Sequence, residues 1–232
     1  MIGAIIQARM GSTRLPGKVM KKINGKNPML FYLIQQIKQS KLIESFVVAT
    51  TDLKEDDIIA KYLKNNQILC FRGNEKDVLD RYYNCAKKFS FDPIIRITAD
   101  NPLIDPHIID NLIQIYQNNE IDYLTNCLPR TFPYGTEVEV FSFHSLETAW
   151  KYAKRNEERE HVTPFLYNNP NKFKILNVFN QSDQSNFRWT VDYLEDFDFV
   201  EKIISEIRKQ PIFVNDILLL LQTKPELLKL NN

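Results

Sequence analysis

Residues 7 to 19 read QARMGSTRLPGKV, which places Arg9, Arg14 and Lys18 on one short stretch with Gly11 and Gly17, two of the six glycines in a chain of 232 residues. Three neighbouring cations repel one another unless water or an anion lies between them, so the arrangement favours binding something negative. Backbone amides and three fixed cations suit a chain of several phosphates better than a single carboxylate. Gly11 permits close backbone approach, and Pro16 restricts the loop before binding. The stretch is not the common triphosphatase loop, G-x-x-x-x-G-K-[ST], because five residues separate Gly11 from Gly17 and Val19 follows Lys18. It is not a dinucleotide fingerprint either, since no G-x-G-x-x-G occurs and Gly3 lies within an apolar run. A basic surface loop neutralised by the acids of residues 55–57 is the bland alternative.

Such side chains need elements to position them. Apolar runs rich in Val and Ile recur at residues 2–7, 46–50, 68–71 and 94–98 and read as buried strands. Between and after them lie amphipathic segments of helical length at 28–40, 54–66, 77–89 and 105–119. This alternation predicts an α/β fold, a mostly parallel, doubly wound sheet flanked by helices. Ligands of such sheets bind beyond the carboxyl ends of the strands. There the sequence places Arg9 to Lys18, Thr51 and Asp52, Arg72 and Gly73, and Asp100. With no Ser or Thr after Lys18, a hard divalent cation at phosphates needs carboxylates from elsewhere, and Asp100 is the best candidate by position. Asp192, after the strand-like RWTV, is the second; the N-cap of the following helix is its competing role.

After IDYLTN the character changes. CLPRTFPYG reads as a Pro-containing loop, TEVEVFSF as a half-exposed strand, 145–155 and 158–167 as helices, and FKILNVF as a strand. RWTVDYLEDFDFVEKIISEI then predicts a strand, a loop and a helix, and LLLLQ a buried helix face. Residues 127–180 are therefore expected to form a small arm or subdomain inserted in the sheet domain.

Thirty Lys and Arg against 29 Asp and Glu give a net charge of +1, so no global field would hold the protein on nucleic acid or an anionic membrane. Hydrophobic content of 44% and charged content of 25% are ordinary for a globular chain. Three widely spaced cysteines without a CxxC fit reduced core thiols. MIGAIIQA lacks the basic lead of a signal peptide and no apolar run reaches a membrane span, so a cytoplasmic location is expected.

IIQARMGSTRLPGKVM resembles the opening motif of cytidylyltransferases of the acylneuraminate and keto-sugar-acid type, especially the spore-coat polysaccharide biosynthesis branch, in which A-R-x-G-S-x-R-L-P-G-K binds the nucleoside triphosphate. The likeness continues through ITADNPLIDP, YGTEVEVF, EREHVTPFLY and RWTVDYLEDFDFV, nearly the whole chain. It implies a Rossmann-like nucleotidyltransferase sheet, one domain over residues 1–232, and an arm at 127–180 for acceptor binding and homodimer contact. The implied reaction transfers CMP from CTP to a sugar acid, with loss of pyrophosphate, for surface glycan biosynthesis. Asp100 and Asp192 would hold magnesium, with other divalent ions such as manganese as substitutes. Arg9, Arg14 and Lys18 would bind the β and γ phosphates. Gln7, Ala8, Gly11, Ser12, Arg72, Thr98 and Asp100 would complete the nucleotide pocket.

The family's pattern puts Arg72, and Asp77 or Arg81, on the nucleoside side. Asp77 by itself reads as a helix N-cap, paired to Arg81 four residues on. Arg130, Tyr134, Gly135, Glu137, Glu160 and His161 would face a small anionic acceptor. Two further readings share the fold: CTP-dependent transfer to a phosphate or phosphonate, giving a CDP-type product, and a non-catalytic nucleotide-binding protein.

Overall fold

The computed structural model describes residues 1–230. The four apolar runs form strands β1 (Gly3–Gln7), β4 (Ser45–Thr51), β5 (Cys70–Gly73) and β6 (Ile94–Thr98). The amphipathic segments between and after them form α1 (Met29–Ile37), α2 (Asp57–Asn65), α3 (Val78–Phe89) and α4 (Pro106–Gln117). A small antiparallel ribbon, β2 (Lys22–Ile23) with β3 (Asn27–Pro28), leads into α1. The second half supplies β7 (Tyr123–Thr125), β8 (Glu139–Phe141), α5 (Phe143–Tyr152), α6 (Asn156–His161), α7 (Pro164–Tyr167), β9 (Ile175–Asn177), α8 (Leu194–Ile207) and α9 (Val214–Thr223).

Seven strands make one sheet in the order β5-β4-β1-β6-β8-β7-β9. β5, β4, β1 and β6 are parallel, β8 runs antiparallel to both β6 and β7, and β7 is parallel to β9. Successive strand residues point to opposite faces, and both faces are covered. Ile6, Val48, Ile95 and Ile97 join a core with Leu33, Leu112 and Phe199 from α1, α4 and α8. Ile5, Val47, Ala49 and Ile94 join another with Tyr82, Leu146 and Phe165 from α3, α5 and α7.

Helix starts follow their caps. Asp77 accepts from the Asp80 amide to open α3, and Asp105 accepts from His107 ahead of Pro106 to open α4. Burial pushes all three free thiols up, Cys85 to about 12 and Cys127 to about 11, which keeps them as unreactive thiols near neutrality.

The second half departs from its sequence pattern in several places. TEVEVFSF does not give a half-exposed strand: β8 lies between β6 and β7, and all three of its residues are buried. RWTV joins no sheet; Tyr134 and Arg188 form an isolated bridge, and the Trp189 and Val191 amides donate to the Tyr134 and Asp100 carbonyls. The expected helix over 158–167 is divided at Val162 into α6 and α7. Residues 127–180, expected as an arm, contribute β8 and β9 to the main sheet and α5 to α7 to its cover. In LLLLQ, Leu221 is buried while Leu219 is exposed, as a one-sided helix requires. Among the described residues no helix is long and apolar enough to cross a membrane.

Candidate active site

The chain leaves β1 at Gln7, and Ala8 stays tied to the sheet by its amide on the Ala49 carbonyl. The cationic loop is then shaped from beneath. The buried Asp56 carboxylate accepts from the Met10 amide at 2.6 Å and from Thr51, so it holds backbone rather than loop cations. Gly17, with φ +72°, closes the loop through its amide on the Met10 carbonyl and starts the short turn that carries Lys18 inward. Asp57 pairs with Arg72. The acids of residues 55–57 are thus not the neutralising partners of Arg14 and Lys18.

Those partners lie far along the chain. Lys18, 8% exposed, directs its Nζ to Asp192 Oδ1 at 3.2 Å and Asp100 Oδ2 at 3.4 Å, and donates to the Val191 carbonyl. Arg14 reaches the same Asp192 oxygen at 2.6 Å, and Arg188 reaches Asp192 Oδ2 at 2.7 Å. Burial alone would raise the Asp192 pKa; the Arg188 hydrogen bond, with Lys18 and Arg14, more than offsets it and holds the carboxyl below the usual range. The start of α8 is served by Asp196, which accepts from the Asp192 and Tyr193 amides, so the Asp192 side chain does not act as the N-cap.

Above the ends of β1 and β6 opens a cavity of about 430 Å³. Its wall brings together Gln7, Ala8, Arg9, Ser12, Arg14, Lys18, Arg81, Thr98, Asp100, Glu160 and His161, all singled out in the sequence, with Val78 and Arg96, which are not. Among the described lining residues, five cations face two carboxylates, Asp100 and Glu160. Such a wall favours a polyanion. The buried Gln7 Oε1 has no hydrogen-bond partner, which leaves the floor an unused acceptor.

Several expected residues lie elsewhere. Gly11 is off the wall, with the Glu55 carboxylate 3.0 Å from where a Cβ would sit. Arg72 braces the exit of β4, bonding the Thr51 and Leu53 carbonyls and Asp57. Arg81 takes the wall position instead: 2% exposed, it donates to the Asn74 carbonyl and leaves a buried Nε unpartnered. Burial, reinforced by the charge of Arg9, lowers its pKa. Asp77 is the N-cap but pairs with Arg159 rather than Arg81. Arg72→Ala is therefore expected to lower the melting temperature and leave affinity for the nucleotide expected from the sequence within about twofold, whereas Arg81→Met weakens that affinity roughly tenfold or more. Isothermal titration of both variants checks this, and the opposite ranking would return Arg72 to the pocket.

Arg130, Tyr134, Gly135 and Glu137 form a cluster of their own beside the segment that leads to Asp192. Glu137 accepts from Arg130 at 2.6 Å, from Asn101 at 2.8 Å and from the Gly135 amide at 3.0 Å. The Arg130 guanidinium lies 3.8 Å over the Tyr134 ring. None of the four is on the cavity wall. Sequence reasoning does not single out Arg96, although a lone cation inside the apolar run IIRIT is a visible signal.

A largely parallel sheet with a cation-lined cavity over its central strand ends, and two carboxylates at that cavity's loop, defines an α/β nucleotidyltransferase. The cytidylyltransferase family model matches residues 3–224, and the chain belongs to that family of enzymes. It is similar to the spore coat polysaccharide biosynthesis protein SpsF of Bacillus subtilis, 32% identical over 232 residues that span 96% of this chain and 94% of that protein. A cytidylyltransferase structure from Leptospira borgpetersenii serovar Hardjo-bovis superposes with a TM-score of 0.93 at 36% identity, covering 97% of this chain and 95% of that one. A 3-deoxy-manno-octulosonate cytidylyltransferase of Trichlorobacter lovleyi is 35% identical over 118 residues, 51% of this chain and 46% of that protein.

Proposed function

We propose that the enzyme transfers CMP from CTP to a sugar acid, releasing pyrophosphate, as a step in surface glycan biosynthesis. The observation that carries the reading is the Lys18 ammonium shared between Asp100 and Asp192, with Lys18 and Asp100 both on the wall of the cation-lined cavity. The names of the similar proteins, one a 3-deoxy-manno-octulosonate cytidylyltransferase and one a polysaccharide biosynthesis protein, support the acceptor class and the purpose.

Arg9, Arg14 and Lys18 would hold the β and γ phosphates, and Arg81 and Ala8 the nucleoside. An acceptor hydroxyl oxygen attacks the α phosphorus, giving up its proton to solvent and forming the new O–P bond as the bond to the β-phosphate oxygen breaks. The leaving pyrophosphate stays on the loop cations, which stabilise its developing charge. Among the described residues no cluster of three or more His, Cys, Asp or Glu side chains could hold a metal by itself. Two converging carboxylates beside a phosphate site fit magnesium, which takes one or two carboxylates along with phosphate oxygens and water. Asp100 and Asp192 would hold it, and its chemistry there is neutralisation of phosphate charge.

The test is pyrophosphate release with magnesium and each of the four ribonucleoside triphosphates, against sugar acids, polyol phosphates and phosphonates. Release that requires CTP and a sugar acid, and stops with chelator, is the expected result. Release with phosphates or phosphonates alone would replace the acceptor class. Silence across the panel together with no CTP-dependent rise in melting temperature would overturn the reading.

A further inference from the structure

We propose that Arg96, oriented by Glu139, binds the anionic group of the acceptor at the floor of the cavity; this rests on the transfer reaction proposed above. β6 reads Ile-Ile-Arg-Ile-Thr, and its alternation sends Ile95 and Ile97 to one core and Ile94 to the other, the side Arg96 shares. Arg96 is register-paired with Ile5 on β1 and Glu139 on β8, two residues below the strand end, about 7 Å deeper than Thr98. A guanidinium placed there is costly unless paired.

The pairing is one-sided. Arg96 Nη1 donates to Glu139 Oε2. The other carboxylate oxygen, Oε1, is taken by the Tyr123 hydroxyl at 2.5 Å and the Thr163 hydroxyl at 2.6 Å. Arg96 Nε is buried without a partner, so the Nε–Nη2 edge of the guanidinium stays unused among the described residues. That edge is a planar two-donor fork, the geometry that takes a carboxylate bidentately. Arg96 also lines the cavity. Glu139 outweighs burial and raises the pKa of Arg96, keeping the cation.

Glu139 acts on a second wall element as well. Val162, 1% exposed, has φ +72° and ψ −54°, the tight three-residue turn in which the Thr163 amide donates to the His161 carbonyl at 2.8 Å. A β-branched residue rarely adopts that conformation, and such outliers persist where the surroundings over-determine them. Here the Thr163 hydroxyl is pinned to Glu139 and Val162 is packed in the core. One buried carboxylate therefore orients Arg96 and anchors the turn that brings His161 to the same cavity. Glu139 is the positioning residue and Arg96 the binding residue.

The experiment compares wild type, Arg96→Lys and the double variant Arg96→Gln/Glu139→Gln. The double variant leaves no unpaired buried charge; Arg96→Lys keeps the ion pair and loses the fork. Each is assayed with CTP and 3-deoxy-manno-octulosonate, and with the neutral carboxamide of that acid. In both variants KM for CTP is expected within about twofold of wild type, while kcat/KM for the acid falls roughly 10- to 100-fold. The carboxamide is expected to change little, so the acid-to-amide preference collapses. An unchanged preference in Arg96→Lys, or a KM for CTP that rises as much as that for the acid, overturns the inference and assigns Arg96 to structure or to the nucleotide. A wild-type enzyme that releases no pyrophosphate with the acid removes the proposed acceptor class first, and the inference with it.

Discussion

Asp192→Asn is expected to lower pyrophosphate release on the order of 100- to 1,000-fold while leaving a folded, cooperatively melting protein. Asp192 is contacted by Arg14 at 2.6 Å, Arg188 at 2.7 Å and Lys18 at 3.2 Å, and is ionised in that setting. Asparagine preserves volume and removes the charge. The pair of carboxylates proposed for the metal becomes a single one, Asp100, and the loop cations lose the group that aligns them. The fold survives because Asp196, not Asp192, accepts the first amides of α8. Direction matters in the binding data too. Metal-free CTP is expected to bind the variant at least as well as wild type, since one repelling carboxylate has gone, while the response to magnesium shrinks. Wild-type turnover in this variant would end the metal role of Asp192.

Gly135→Ala is expected to cost about 3 kcal/mol, a fall in melting temperature on the order of 10 °C. Gly135 has φ +104°, and a Cβ there would lie 2.6 Å from Trp189 Cδ1 and 2.9 Å from the Thr190 amide nitrogen. Trp189 is fully buried and cannot withdraw. The strain reaches the site, because Trp189 and Thr190 run directly into Val191, whose amide holds the Asp100 carbonyl and whose carbonyl accepts from Lys18. Turnover should therefore fall along with stability. Thermal melting and steady-state rates check both, and a variant as stable as wild type would show that the segment yields easily.

Much of the scaffold is legible in the order of residues alone. The alternation of short Val- and Ile-rich runs with amphipathic segments is set by neighbours along the chain, and it produces β1, β4, β5, β6 and the helices between them. The loop cations are legible because they are contiguous. Asp100 follows from the rule that ligands collect at strand ends, which is a statement about sheets rather than about this one. RWTV misleads about membership of the sheet, since only Arg188 bridges, to Tyr134, and TEVEVFSF about depth within it. A strand's pattern says how its faces differ, but its depth in the sheet depends on which strands flank it, and β8 is flanked on both sides.

Arg72 and Arg81 show the same limit at the site. Both are cations near the end of the third parallel strand. β5 is the sheet's edge, two strands from β1, so Arg72 meets the exit of β4, while α3 crosses back and delivers Arg81 to the cavity. By itself, the sequence determined the parallel half-sheet, the cationic loop and the chemical class, because periodicity and a contiguous motif are local properties. Only the tertiary structure decided that Lys18 meets Asp192 across 174 residues, that Glu139 is buried against Arg96, and that Arg81 rather than Arg72 lines the cavity. A buried charge is tolerated only where its partner arrives, and that partner is chosen by strand order and chain crossing, which no short stretch of sequence contains.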